Sequence, residues 1–492
     1  MPKPVSGIHS IFCLFIACAT AANTANTSIY PQIKNQHTLP EKRLFTLSGS
    51  DTVGAKLAPA QVKAWMKQQG MSDISVLKLG EHHQYRIAAR KGEKKLYVDV
   101  HALGSSTGIN GLLSKQADIA MSSRPIKALE AAQLQQSHGT MRSVYSEHVI
   151  AIDGVVVILH PQNPITTLNI DTIAKIFAGQ ISNWQSLGGL NQRINIYARD
   201  SHSGTFDTFK KLVLKTHAAL SESAERVVSN QALSQRVSED PAAIGFVGMA
   251  YVGNAKTVAV KDKNTHPFSP APLFIATEDY PLSRRLFMYT AETNSNPLAK
   301  SFIDFALSKQ GQKLVEENGF VSMNPIKRKV VGVSGPADYE ALIQGGERLS
   351  VNFRFQPREA KLDSKARKDI KRVADYFKGL DNKNYQVKLV GFSNERVSSA
   401  RANVLSLLRA SAVKIALFRE GVDTDQVLGF GSDLLVANSE GTQGNKNDRV
   451  EVWIVQGTHN HIEQTAGSGS FASKNVIKSG ACGLCIPVTT QF

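Results

Sequence analysis

The residues best suited to chemistry lie in the stretch RDSHSGTFDTF, residues 199–209. An apolar strand pattern precedes it and a helical pattern follows, so its polar residues fall in a strand–turn–helix connection. The first N–H groups of a helix lack internal partners and carry partial positive charge. Ser203 and Thr205 add hydroxyl groups, and Gly204 lets the backbone approach a ligand. With the permanent charge of Arg199, these residues predict a tetrahedral oxyanion site that needs no metal and no cofactor.

An ordinary helix cap and a catalytic serine are the alternatives for this stretch. Ser and Thr are favoured at helix N-termini even without a ligand. A serine-dependent phosphatase would pair Ser203 with His202, but adjacent residues at a helix start rarely point at each other. The sequence contains no paired-metal cluster of His and Asp. We therefore predict a binding protein, not an enzyme.

Similar polar turns follow other predicted strands. SGSDTVG follows the strand at 44–47, and LGSSTG follows the strand at 96–100. A strand at 118–121 ends in SSRP. Ligands of open α/β sheets bind beyond the carboxyl ends of strands. The repetition favours one anion site built by several turns over chance capping.

The remaining pattern of the first half is typical of an α/β domain. The apolar runs at 155–159 and 286–289 predict strands. Apolar residues at helical spacing predict one helix from Leu298 to Asn318.

Composition favours an anionic partner. The chain has 492 residues and a formal net charge of +16, which raises the expectation of phosphate, anionic lipid or cell-wall polymer as a partner. The basic residues are scattered and form no nucleic-acid-binding motif, so we expect no nucleic acid partner.

The N-terminus has the pattern of an export signal. Lys3 precedes a short apolar core at 11–19, and Ala19-Thr20-Ala21 supplies small residues for cleavage, which predicts a signal peptide at 1–22. Lipoprotein processing at Cys18 is the alternative. Cys482 and Cys485 form a C-x-x-C in a Gly/Ser-rich segment, where a local disulfide or no role fits better than a redox site.

The motifs of residues 44–325, taken in order, resemble the phosphate-binding proteins (PstS-like) that serve bacterial ABC importers. The matching motifs are SGSDTVG, LGSSTG, DIAMSSRPI, VVVILHPQNP, IFAGQISNW, RDSHSGTFDTF and DPAAIGFV. The resemblance implies a two-lobed periplasmic-binding-protein fold, with mixed sheets and a hinge, that closes on inorganic phosphate or a related oxyanion. The phosphate contacts it implies are Thr52, Val53, Ser105, Ser123, Arg199, Ser203, Gly204 and Thr205.

One position departs from that family's pattern. Where the best-known members place an aspartate that accepts the proton of monohydrogen phosphate, this chain has Ser123. Such an acceptor repels fully ionised sulfate, and Asp51 is an alternative source of it. The neighbouring Arg124 has two open interpretations, an anion ligand or a partner of a surface carboxylate.

The second half predicts a separate α+β domain. Gly- and Lys/Arg-rich residues 326–347 predict a linker, and a βαβαββ pattern follows over 348–457. The motifs NFRFQP, GFSN, LSLLRASAV, GFG and NDRVEVW resemble the OmpA-like domain, which holds outer-membrane proteins to peptidoglycan. In that family an aspartate and an arginine bind the diaminopimelate of the stem peptide. Here Asn394 holds the aspartate position and Arg409 matches the arginine.

Together these patterns predict an exported protein that captures phosphate and stays near peptidoglycan and the outer membrane. Residues 458–492 are rich in Gly, Ser and Thr and predict a disordered tail. The resemblance implies an ABC importer as a further partner, although a wall-binding module argues against simple delivery to a transporter. An envelope structural or adhesion protein with a degenerate anion site is the main alternative.

Overall fold

A computed structural model describes residues 42–456, except 81–82, 202, 216–218, 264, 293–295, 331–334, 356–358, 381–383, 395–397 and 440–443. The predicted signal peptide, Cys18, His202, the Cys482–Cys485 pair and the predicted tail lie outside the described residues. Within those ranges, no helix combines the length and the apolar character that a membrane span requires.

The first domain is built on one large mixed sheet. Its strands are β1 Lys42–Gly49, β2 Ser72–Lys78, β3 Gln84–Lys91, β4 Lys94–His101, β5 Ile119–Ser122, β6 Glu147–Leu159, β7 Thr167–Asn169, β8 Asn195–Arg199, β9 Glu225–Val227, β10 Ala243–Gly248, β11 Lys256–Thr257, β12 Ala259–Lys261 and β13 Ser283–Tyr289. The sheet order is β2-β3-β4-β1-β5-β13-β6-β10-β8-β9, with β11 also on β6, while β7 and β12 pair separately.

Helices cover both faces of this sheet. They are α1 Asp51–Gly54, α2 Leu57–Gln68, α3 Ser105–Leu113, α4 Ala128–His138, α5 Ile170–Phe177, α6 Gly204–Phe209, α7 Asn230–Glu239, α8 Pro272–Ala276, α9 Pro297–Leu307 and α10 Lys309–Glu317. Alternate residues of β6 enter different cores: Val156 and Ile158 join one hydrophobic cluster, and Val155 and Val157 join the other. Burial on both faces explains why residues 155–159 of this strand form a continuous apolar run.

Strand β6 also joins the two lobes. Its first part, up to Gly154, pairs with β13, and its last part, from Val155, pairs with β10. Strands β1–β5 therefore belong to the first lobe and β7–β12 to the second. This arrangement confirms the predicted two-lobed fold, with β6 and β13 as the hinge strands.

The single helix predicted over 298–318 is wrong, because two helices occupy this segment. Ser308 leaves the helical conformation, with φ −70° and ψ 165°, and its hydroxyl accepts from the N–H of Gly311 at 3.2 Å. A Cβ on Gly311 would lie 2.1 Å from the carbonyl oxygen of Phe305, so the bend requires glycine there.

A buried histidine on the hinge predicts a pH dependence of stability. Burial lowers the pKa of His148 from 6.5 to about 3, and the nearby Lys368 ammonium adds to this shift. Between these two pKa values the unfolded chain binds a proton that the folded chain does not, so stability falls as the pH falls through this window. We expect this group alone to cost about 3 kcal/mol on going from about pH 7 to about pH 4. Urea unfolding of wild type and His148→Gln at both pH values measures the difference, and equal losses would contradict burial of a neutral imidazole.

The second domain has the predicted βαβαββ order. Its elements are β15 Glu347–Arg354, α12 Ser364–Lys378, β16 Tyr385–Phe392, α13 Ser399–Arg419, β17 Gln426–Gly429 and β18 Arg449–Gln456. The sheet order is β14-β15-β18-β16-β17, where β14 is the short strand Lys327–Arg328. Helices α12 and α13 cover one face with a core that includes Phe353, Val373 and Val413.

The segment predicted as a linker contains regular structure. Besides β14, it forms helix α11, Ala337–Ile343. Tyr339 of this helix is buried against Phe392 and Trp453 on the second face of the sheet. These residues thus contribute to the second domain's packing, while the domain boundaries themselves stay a prediction.

The two domains pack against each other through buried charges. Arg348 Nη2 donates to Asp279 Oδ2 at 2.8 Å, and Asn352 Nδ2 donates to the carbonyl of Thr277 at 2.9 Å. The ammonium of Lys446 donates to the carbonyl of Pro281 at 2.8 Å. The second domain is therefore docked on the first.

The docked domain touches both hinge strands. The hydroxyl of Ser364 donates to Glu147 Oε1, on β6, at 3.0 Å. The guanidinium of Arg285, on β13, lies 2.8 Å from the carboxylate of Asp363. These contacts place the beginning of α12 beside the hinge.

Candidate functional site

Three neighbouring strands of the first lobe bring the predicted loop residues together. Strand β1 lies between β4 and β5 and runs parallel to both, so their carboxyl ends share one edge of the sheet. Thr52 and Val53 lie in α1 after β1, Ser105 begins α3 after β4, and Ser123 follows β5. All of these residues are buried.

The fourth loop comes from the second lobe. Ser203 caps helix α6, where its hydroxyl accepts from the N–H groups of Thr205 and Phe206 at 3.2 and 3.4 Å. The hydroxyl oxygen of Thr205 lies 3.1 Å from that of Thr52. Hydroxyl groups of the two lobes therefore meet at one point.

Gly204 fits between two serines of the first lobe. A Cβ at this position would lie 2.2 Å from Ser105 Oγ and 2.4 Å from Ser123 Oγ. These two hydroxyl oxygens are 3.3 Å apart. The close approach of the lobes thus depends on the absence of a side chain at position 204.

Arg199 ends strand β8 and is 1% exposed. Its Nη2 donates to the carbonyl of Val228 at 2.6 Å and lies 3.4 Å from Asp51 Oδ2. Its Nη1 is buried and has no hydrogen-bond partner among the described residues. Burial lowers the pKa of Arg199, while Asp51 and Asp200 act in the opposite direction. Because an unpaired buried N–H is costly, this nitrogen is suited to receive an anion.

A second arginine, which the sequence analysis missed, reaches the same hydroxyl groups. Arg284 Nη1 donates to Thr205 Oγ1 at 2.9 Å, and its Nη2 lies 3.4 Å from Thr52 Oγ1. Its Nε and Nη2 donate to Asp153 Oδ2 at 2.9 and 2.7 Å. Burial raises the pKa of Asp153, and Arg284 opposes that shift. In the sequence, Asp153 lies two residues before the apolar run at 155–159, and Arg284 lies two residues before the run at 286–289. These two charged residues next to strongly apolar strands were the available signal for a buried ion pair.

The guanidinium of Arg124 is paired with two carboxylates. Its guanidinium donates to both oxygens of Glu130, at 2.6 and 2.9 Å, and to Asp207 at 2.9 Å. Of the two open interpretations, this geometry favours pairing with carboxylates. Since Glu130 and Asp207 belong to different lobes, Arg124 also bridges the cleft.

Asp51 stands beside the guanidinium of Arg199. Its Oδ1 is 2.6 Å from His83 Nδ1, and its Oδ2 accepts from Asn230 Nδ2 at 3.3 Å. A cavity of about 660 Å³ adjoins this group, and Asp51, Arg199, Ser203 and His83 help to line it. An anion in this cavity would meet a carboxylate as well as an arginine.

In the second domain, Asn394 and Arg409 lie close to each other, but both are engaged within the protein. Arg409 is fully buried and donates from Nη1 to Asp448 Oδ1 at 2.6 Å. Asn394 donates from Nδ2 to the carbonyl of Ser439 and accepts from Asn447 Nδ2 at 3.2 Å. Asp448, which lies inside the motif NDRVEVW, was not among the residues predicted from the sequence.

The described parts of the chain offer no group of three or more His, Cys, Asp or Glu residues that could hold a metal ion.

Comparison with known proteins identifies two family domains. Residues 84–310 match a PBP superfamily domain, and residues 354–449 match the OmpA family. The phosphate-binding protein PstS of Borreliella burgdorferi is 33% identical over 232 residues, which cover 46% of this chain and 80% of that protein. PstS of Bacillus subtilis is 27% identical over 233 residues, 47% of this chain and 72% of the relative. An ABC-type phosphate transport receptor from Vibrio cholerae is structurally similar, with 27% identity and a TM-score of 0.43 over 56% of this chain and 99% of the receptor.

Proposed function

The chain belongs to the PstS family of phosphate-binding proteins and carries a C-terminal OmpA family domain, and on this premise we propose that it captures inorganic phosphate between its two lobes. The observation that carries the proposal is Nη1 of Arg199, which is buried without a partner among the described residues. Membership in the PstS family confirms the prediction that this chain is a binding protein and not an enzyme.

Phosphate would be held by donors from both lobes. Arg199 supplies charge, and the N-terminus of α6 supplies backbone N–H groups around Gly204 and Thr205. The first lobe contributes the hydroxyls of Thr52, Ser105 and Ser123 and the backbone at Val53. Charge-assisted hydrogen bonds of this kind are stronger than neutral ones, and burial strengthens them further. Binding would therefore favour the closed arrangement of the lobes.

Asp51 would give the site its preference for phosphate over sulfate. Its carboxylate lies next to Arg199, where it can accept the proton of monohydrogen phosphate. Sulfate carries no such proton at neutral pH, so the same carboxylate would repel it. Asp51 would thus take the role of the aspartate that Ser123 replaces.

Calorimetric titration of the full chain with phosphate and with sulfate tests this function. We expect micromolar or tighter binding of phosphate and no measurable heat with sulfate. Binding of neither anion would refute capture, and equal binding of both would refute the role of Asp51 in selectivity.

Substitution of Gly204 by alanine is expected to weaken phosphate binding at least about tenfold. The new methyl group would push against the hydroxyls of Ser105 and Ser123, which can yield only by leaving the site. Gly379→Ala is the matched control, because its Cβ would meet nothing closer than 3.4 Å. Calorimetry on both variants measures the effect, and an unchanged affinity in Gly204→Ala would contradict the predicted closure.

We further propose that the OmpA family domain holds the protein at peptidoglycan, in the envelope beside the outer membrane. Supporting this proposal are the family match over residues 354–449 and Nη2 of Arg409, which is buried without a hydrogen-bond partner among the described residues. Sedimentation of the full chain with purified sacculi tests it, and a chain that stays in the supernatant would refute it. Delivery of phosphate to an ABC importer is a separate prediction of the family resemblance, and capture does not depend on it.

A further inference from the structure

In the OmpA family domain, position 394 holds asparagine where the family resemblance implies an aspartate. A carboxylate from a different strand lies next to this position. Asp448 immediately precedes β18, whereas Asn394 follows β16. The Oδ1 atom of Asp448 accepts from the backbone N–H of Asn394 at 2.9 Å and from Arg409 Nη1 at 2.6 Å. The carboxylate therefore lies directly against position 394 and the arginine.

Asn394 is poorly placed to bind a ligand cation itself. Its amide oxygen accepts from Asn447 Nδ2 at 3.2 Å, and its amide nitrogen donates to the carbonyl of Ser439 at 3.0 Å. A Cβ on Gly444 would lie 2.8 Å from this amide nitrogen, so the side chain has little room to rotate. Its hydrogen-bonding capacity is mostly used within the domain.

Arg409 and Asp448 each keep an unused atom. Arg409 is 0% exposed, yet its Nη2 has no hydrogen-bond partner among the described residues. Its other donors reach Ser393 Oγ, Asp448 and the carbonyl of Glu359. The side chain of Asp448 is 13% exposed, and no contact within the described residues engages its Oδ2. One cationic donor and one anionic acceptor thus remain side by side.

We propose that Asp448 is the residue that binds the ammonium group of a diaminopimelate-type stem peptide, with Arg409 Nη2 binding the adjacent carboxylate. This inference rests on the proposed attachment to peptidoglycan. An amino-acid centre carries an ammonium and a carboxylate on one carbon, which complements a neighbouring carboxylate and guanidinium. A lysine side chain offers the ammonium alone, so the site would discriminate against lysine-type stem peptides.

The test is titration of the full chain with free meso-diaminopimelate and with Nα-acetyl-lysine methylamide, which carries the side-chain ammonium but no carboxylate, together with sedimentation on diaminopimelate-type sacculi. We expect only diaminopimelate to bind, and equal binding of both compounds would refute recognition of an ammonium and a carboxylate on one carbon. We expect Asp448→Asn to weaken both diaminopimelate and sacculus binding at least about tenfold. Asp423→Asn, an exposed aspartate of the same domain, is the matched control and should bind as wild type does. Asp448→Glu keeps a carboxylate beside Arg409 and should retain most of the binding, which separates lost charge from lost folding.

The outcomes separate this inference from the proposed function. If wild type and Asp448→Asn bind diaminopimelate equally well, the role of Asp448 is refuted while wall attachment stands. If Asp448→Glu folds but binds no better than Asp448→Asn, the role of the carboxylate is likewise refuted. If wild type itself fails to bind sacculi, attachment to peptidoglycan is refuted.

Discussion

Substitution of Arg199 by alanine is expected to weaken phosphate binding by at least about 100-fold. The change removes a buried positive charge and the unpartnered Nη1 that we assign to the anion. Arg199→Lys keeps the charge but loses the planar fork, so its affinity should fall between those of alanine and wild type. Calorimetric titration with phosphate measures all three proteins.

The control for this experiment is an arginine of the same lobe that lies outside the cleft. Arg193 is exposed, and Arg193→Ala should bind phosphate as wild type does. Because Arg199 also contacts Asp51 and the carbonyl of Val228, thermal unfolding without phosphate must show that Arg199→Ala is folded. A folded Arg199→Ala protein that binds phosphate within threefold of wild type would contradict the proposed site.

The second large effect is expected at the contact between the domains, where Asp279→Asn should destabilise the protein by about 3–5 kcal/mol. Asp279 is buried and lies 2.8 Å from Arg348, 3.4 Å from Arg354 and 4.0 Å from Arg449. Burial alone would raise the pKa of Asp279, but these arginines hold it below its ordinary value. Without the negative charge of Asp279, too little negative charge remains near these buried arginines. This imbalance explains why we expect a large decrease in the free energy of unfolding.

Urea unfolding compares this variant with Asp73→Asn, a matched change at an exposed aspartate of the first domain. The control should change stability by less than about 0.5 kcal/mol. A docked pair of domains also predicts that the two transitions lie close together in wild type and separate in Asp279→Asn. If Asp279→Asn behaves as the control does, the buried contact between the domains is contradicted.

Much of the first domain could be predicted from local sequence. Strand–turn–helix patterns located Thr52, Ser105, Ser123 and the loop at 203–205, and the structure brings their side chains or backbone together. The prediction of these loop positions succeeded because a turn after a strand and the cap of a helix are encoded by neighbouring residues. Their binding of phosphate stays a prediction.

What the sequence did not reveal depends on contacts between distant residues. Arg284 and Asp153 are separated by 131 positions, and only the crossing of β6 and β13 brings them to the hydroxyl cluster. Asp448 likewise reaches Arg409 only because β18 lies beside β16. Helical spacing alone did not reveal the bend at Ser308, since apolar periodicity continues across it.

Sequence patterns did not predict the docking of the two domains either. A Gly- and Lys/Arg-rich segment predicted a plain linker, but its helix α11 buries Tyr339 in the second domain. Arg348 and Arg354 would pass for exposed charges of an amphipathic strand, and only their contact with Asp279 explains their burial. Since the docked domain touches Glu147 and Arg285 on the hinge strands, the domain proposed to bind peptidoglycan is in direct contact with the hinge of the domain proposed to capture phosphate.

The most direct test of this account is sedimentation of radiolabelled phosphate with purified sacculi in the presence of the full chain. We expect labelled phosphate to enter the pellet only with the protein, and we expect excess unlabelled phosphate, but not sulfate, to displace it. A pellet that contains the protein but no labelled phosphate would contradict the claim that one chain captures phosphate while it is held at the wall.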